Sequence, residues 1–154
     1  MVELKTYRLL SIFHASNSAA SDTSLPDYPE WWEWYTEFER AEASRLLISI
    51  AVMARNGFDS GQTSGKIAQS AANAIVGELT ADLENPSDQK ELTCREACNK
   101  IIHTDRFELE RNDEPDRSSL TGVVLLFGSY RGHDWKARVR INDFAVSTVN
   151  LIPS

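Results

Sequence analysis

Cysteine is nearly absent from this sequence, and the two it has, Cys94 and Cys98, share one short stretch. Four residues apart on a helix, their side chains are poorly disposed for a bridge, so a disulfide framework is excluded. Reduced thiols fit a cytoplasmic protein. No window approaches the roughly 18 consecutive apolar residues of a membrane span, and Met1 to Ala15 has neither the basic start nor the cleavage-like end of an export signal. The expectation is a soluble chain in the cytoplasm with no membrane partner. A Gly-rich phosphate loop, a nucleophile elbow and an H-E-x-x-H helix are all missing, which leaves the common nucleotide hydrolases, α/β-hydrolases and zincins without support. Cys94, Cys98 and His103 find no second Cys/His pair to complete a metal site, and buried small side chains explain the two thiols better. Neither metal nor cofactor is expected.

What is present is ordinary for a globular protein: 42% hydrophobic and 25% charged residues over a 154-residue chain. Such a chain buries about two-thirds of its unfolded surface, enough for one domain over residues 1–154. The net charge of −7 argues against wholesale coating of DNA. Locally the balance reverses. Arg131, Lys136, Arg138 and Arg140 against Asp134 give residues 131–140 a charge of 4 − 1 = +3, leaving −7 − 3 = −10 elsewhere. A basic strand face of this kind suits a nucleic-acid backbone or an acidic partner surface, the protein's own included; a solvated outer face is the alternative.

Along the chain, Val2 to Phe13 reads as an amphipathic helix and Ser16 to Pro29 as a loop. Glu30 to Asn56 is the longest helix, with Gly57 placed to end it. Its aromatic opening, Trp31, Trp32, Trp34 and Tyr35, fits a buried stripe better than a stacking surface for bases. Trp32 points away from the others and either covers the preceding loop or marks a partner surface. After a turn-rich linker at Asp59–Gly65, Ile67, Ala71, Ala74, Ile75, Leu79 and Leu83 mark a further helix that ends before Asn85-Pro86. Its small residues suit close packing in a bundle or at a dimer seam. Asn85 to Glu91 reads as a polar connection. Phe107 to Glu110 alternates as an edge strand or a frayed helix end, and Arg111 to Ser119 is a surface loop. Leu120 to Tyr130 and Trp135 to Ile141 then form a hairpin over 120–141. Asn142 or Asp143 caps a last helix with Phe144, Ala145, Val149 and Ile152 inward and Pro153 closing it. The fold class expected is α+β, mainly α: a helical bundle with a C-terminal β-hairpin followed by a last helix.

The chemistry concentrates in Leu92–His103. Thr93 and Glu96 form a capping box, so a helix starts at about Cys94. Cys94, Ala97, Cys98, Ile101 and Ile102 make its apolar stripe, and Arg95, Asn99 and His103 line one edge at i, i+4, i+8. Asn99-Lys100-Ile101-Ile102-His103 resembles the N-x-x-x-H half of the R-N-x-x-x-H signature of HEPN domains, which are small helical bundles. The whole run also resembles the core of a group of uncharacterised bacterial proteins in which such a helix precedes a β-hairpin. Cys98 stands where the family has Arg. Arg95, the nearest arginine on this helix, lies ~12 Å along the axis from His103, against ~7.5 Å in the family's placement.

The resemblance implies, first, a catalytically silent module that binds a partner protein or nucleic acid. Its alternative is a metal-independent endoribonuclease of the toxin or phage-defence type, with His103 as acid or base, Asn99 positioning the phosphate, and Arg95 with Arg106 stabilising charge. It implies a homodimer as well, paired through the helices that carry the signature. Against any active role, Arg95, Asn99 and His103 read equally as a hydrogen-bonded stripe that holds the fold. With Ile101 and Ile102 drawing that helix end inward, removal of the imidazole is then expected to cost about 1–3 kcal/mol.

Overall fold

The computed structural model describes residues 1–60, 65–114 and 117–151. Five helices lie on one face of a five-stranded sheet. In chain order the elements are α1 (Val2–Ser21), α2 (Pro29–Asp59), α3 (Gly65–Asn73), β1 (Ile75–Thr80), β2 (Gln89–Thr93), α4 (Cys94–Ile102), β3 (Arg106–Arg111), β4 (Leu120–Tyr130), β5 (His133–Arg140) and α5 (Ile141–Val149). The strand order is β2-β1-β5-β4-β3, antiparallel at every pairing.

This corrects the expected bundle with a single hairpin. The expected helix from Ile67 to Leu83 stops at Asn73, and its second half is β1. Ile75, Leu79 and Leu83 repeat at four residues as a helix would have them, yet Ile75, Val76 and Thr80 are β-branched and favour the pleated backbone. Gly77 fixes the choice. A Cβ built there falls 1.7 Å from the Arg138 carbonyl oxygen, so only glycine admits the β1–β5 approach. The polar connection expected before Glu91 holds β2 instead, an edge strand whose Gln89, Lys90 and Glu91 are exposed.

Other boundaries shift for local reasons. Helix α1 continues to Ser21 because its inward stripe of Thr6, Leu9, Phe13 and Ser16 does, and Ser16 Oγ accepts the Leu120 amide at 2.9 Å. Helix α2 runs through Gly57 to Asp59. Arg140, rather than Asn142 or Asp143, caps α5, without a side-chain bond. Trp32 covers its loop, its indole donating to the Pro26 carbonyl at 2.9 Å with Arg117 4.7 Å from its ring centroid, but it does not point away from the other aromatics: its ring lies 4.9 Å from Trp31 and 5.6 Å from Tyr35. Of the two readings open for Phe107–Glu110 the edge strand holds, as β3, and the Leu120–Tyr130 strand and the α4 start stand as expected. The expected linker at Gly61–Ser64, Pro115 in its loop, Ile152 and Pro153 lie outside the described residues.

The core is one cluster between sheet and helices, with Leu46, Leu47 and Ile50 of α2, Cys94, Ala97, Cys98 and Ile101 of α4, and Val124, Leu126, Ala137 and Val139 of the sheet. Because β2 and β3 are opposite edges, α4 crosses the sheet between them, sandwiched beneath α2. One ion pair is drawn inside: Glu39, 8% exposed, receives Arg111 Nη2 at 2.8 Å.

Two outcomes follow in urea melts. Gly77→Ala forces β1 off β5 and destabilises by at least about 2 kcal/mol. Arg111→Ala strands the Glu39 carboxylate and costs about 3–5 kcal/mol, whereas Glu39→Met with Arg111→Met together cost far less.

Candidate functional site

Thr93 starts α4 as the sequence indicates: its hydroxyl accepts the Glu96 amide at 3.2 Å and donates to the Glu96 carboxylate at 3.2 Å. The Cys94 amide donates to the Ala74 carbonyl at 2.8 Å, tying this end to the start of β1. Orientation about the axis is then set by the buried stripe. Cys98 is fully buried. Its hydrogen bond with Cys94, together with burial, pushes its thiol far above the usual range, so Cys98 offers no nucleophile. Position 98, where the HEPN signature has Arg, thus points into the core and has no room for a guanidinium.

The polar stripe divides. Asn99 and His103 line a cleft of about 630 Å³ together with Arg55, Lys100, Ser129, Tyr130 and Trp135. Arg95 belongs elsewhere: it donates to Asp59 at 3.0 Å, sits 5.4 Å from the Phe58 ring centroid and borders a separate depression with Ala68 and Ala72. Arg55, from the last turns of α2, takes the place at the cleft that the sequence would assign to Arg95. Arg106 is also remote, lying 4.2 Å from the Phe127 ring centroid on the sheet's outer face.

No carboxylate lines this cleft among the described residues. Lys100 Nζ lies 4.2 Å from the Trp135 ring centroid, and burial lowers its pKa, with Lys90 adding and Glu96 opposing. The hairpin tip supplies Tyr130, 61% exposed, and Arg131 packs 5.1 Å from its centroid. Arg131 and Gly132 have φ of 51° and 81°, the pattern of a type I′ turn, which carries the tip beyond the ends of the strands it joins. His103 is exposed, and among the described residues its imidazole has no hydrogen-bond partner; only its backbone amide is used, donating to Asn99 at 3.1 Å. The hydrogen-bonded stripe expected to hold the fold is therefore not formed by this ring.

The basic run of β5 is spent within the chain. Arg138 reaches Glu110 at 3.3 Å, and Arg140 binds Asp143 at 2.7 Å and also Glu78. The Asp143 hydrogen bond, helped by Glu78, holds the Arg140 pKa above its ordinary value. Lys136 lies 5.6 Å from the Phe127 centroid. Of the four basic residues singled out by sequence, Arg131 alone adjoins the cleft. Sequence reasoning missed Arg55, Lys100 and Tyr130; Lys100 stood inside the Asn99–His103 run, whereas nothing local marked Arg55 or Tyr130.

No helix among the described residues is long and apolar enough to cross a membrane. Nor do three His, Cys, Asp or Glu residues converge there as a metal site requires. No protein-family model matches the chain, and no curated protein or solved structure matches it either.

Two substitutions separate cleft from core. His103→Ala changes stability by less than about 0.5 kcal/mol in denaturant melts. Cys98→Arg, which would restore the HEPN signature, places a guanidinium among Ala97, Ile101 and α2 and costs several kcal/mol.

Proposed function

We propose that the protein is a binding module for single-stranded nucleic acid, and that the cleft between α2, α4 and the β4–β5 tip holds the strand. One observation carries this reading: on a chain of net charge −7, Arg55, Lys100 and His103 share a cleft that no carboxylate lines among the described residues. Phosphate oxygens suit such a cluster, with Asn99 and Ser129 as hydrogen-bond donors. Tyr130 presents an exposed ring on which a base stacks, and Arg131 stiffens it from behind. The HEPN resemblance of Asn99–His103 agrees with this role.

The exposed imidazole, without a hydrogen-bond partner among the described residues, favours one second reading, a metal-independent ribonuclease. His103 would take the proton from a ribose 2′-hydroxyl as that oxygen attacks the adjacent phosphorus; the bond from phosphorus to the 5′-oxygen breaks, the 5′-oxygen leaves with a proton from solvent water and a 2′,3′-cyclic phosphate remains, while Arg55 and Lys100 stabilise the added negative charge on the phosphate. Arg55 replaces Arg95 in that scheme. Chelator-resistant cleavage lost in His103→Ala would select it, and intact RNA with both proteins would select binding alone.

Binding is measured by fluorescence anisotropy with a short labelled single strand. Arg55→Ala and Lys100→Ala each weaken binding and flatten its logarithmic salt slope by about 0.7, while Tyr130→Ala costs about 1–3 kcal/mol with the slope unchanged. Because the Lys100 pKa is lowered, its charge is lost earlier than that of an ordinary lysine as pH rises. The wild type therefore loses affinity on the alkaline side, and Lys100→Arg keeps it to higher pH.

A further inference from the structure

Helix α2 is apolar on two opposite sides. One, with Ala43, Leu46, Leu47, Ile50, Ala51 and Ala54, faces the core. The other faces solvent, where the outer side of a surface helix is ordinarily polar. Trp31, Trp34, Phe38, Ala41, Arg45, Ile48, Val52 and Arg55 follow one another at alternating steps of three and four, the spacing of a coiled-coil seam. Trp34, Phe38, Ile48 and Val52 are 53%, 61%, 42% and 42% exposed, and Ala41, Arg45 and Arg55 are exposed with them.

The seam is complementary to its own reverse. Laid antiparallel on a second copy about a two-fold axis that crosses the outer face at the level of Ala43, Phe38 meets the partner's Ile48, Trp34 meets the partner's Val52, and small Ala41 meets the partner's long Arg45. At the ends Trp31 meets the partner's Arg55. Every layer thus pairs a bulky side chain with one it accommodates, or a cation with a ring. Antiparallel helices set the two kinds of seam position against each other, as these pairs do. Charge agrees at the centre. Arg45, bonded to Glu42 of its own chain at 2.6 Å, comes beside the partner's Glu42, so two arginines and two glutamates alternate around the axis.

We infer that the outer face of α2 is the seam of a two-fold, antiparallel homodimer of this chain. The face belongs neither to α4, which carries the Asn99–His103 run, nor to α3, whose Ala68, Ala71 and Ala72 are buried in the chain's own core. The inference rests on the seam's inner layers and shares only Arg55 with the cleft. Its consequence for the cleft is positional, since the seam ends at Arg55 and sets the partner's Trp31 at the cleft's rim.

Sedimentation equilibrium at micromolar concentration tests it. The expected result is a species of twice the 17.3 kDa chain mass, reduced to the single-chain mass by Phe38→Glu with Ile48→Glu while the circular dichroism is unchanged. A mixture of Phe38→Cys and Ile48→Cys chains then cross-links on oxidation. Neither variant does so alone, because Phe38 and the partner's Phe38 stand ~15 Å apart along the axis and the native Cys94 and Cys98 are buried. A wild type of single-chain mass would leave the face to a different helix or to a membrane surface and overturn the inference. So would a dimer that survives both glutamates, or cross-linking of the Phe38→Cys chain by itself.

Discussion

One crossing constrains the rest of the molecule. After β2 the chain stands at one edge of the sheet, and it must begin β3 at the other, about 19 Å away at four inter-strand spacings. The nine residues of α4 make most of that span. A helix that crosses a sheet under a second helix is pressed from both sides, and only small side chains fit between. Ala97 and Cys98 are there for that reason, both fully buried. The same geometry leaves Asn99, Lys100 and His103 to emerge together beside the hairpin tip.

The α4 start was legible because its cap is local chemistry: two side chains and one amide within four residues. The Trp135–Arg140 alternation was equally plain, since one face of β5 meets the core and the other does not. β1 was not legible. Its apolar spacing satisfies a helix as well as a strand, and the deciding fact, a glycine against the Arg138 carbonyl, depends on a residue 61 positions away in the numbering. β2 was hidden for a different reason: pairing on one side only, it needs no apolar alternation, and its exposed Gln89, Lys90 and Glu91 read as a loop.

At the candidate site, sequence located the helix and two of its side chains but not the neighbours that give them chemistry. Charge along the chain is a poor guide to charge in space. Arg138 and Arg140 of the basic segment 131–140 are neutralised by Glu78, Glu110 and Asp143, whereas the cleft, which no carboxylate lines among the described residues, gathers single cations from α2 and α4 that are 45 residues apart in the numbering.

The two sheet edges carry a consequence of their own. β2 presents Gln89, Lys90 and Glu91, and β3 presents Arg106, Glu108 and Glu110 with a break in register between Leu109 and Arg111. Charged side chains along both edges, and on β3 the break in register, disfavour strand-to-strand growth. The sheet is thereby a finite object, closed against ribbon and fibril, and a crowded solution of these molecules has only side-chain surfaces through which to recognise anything.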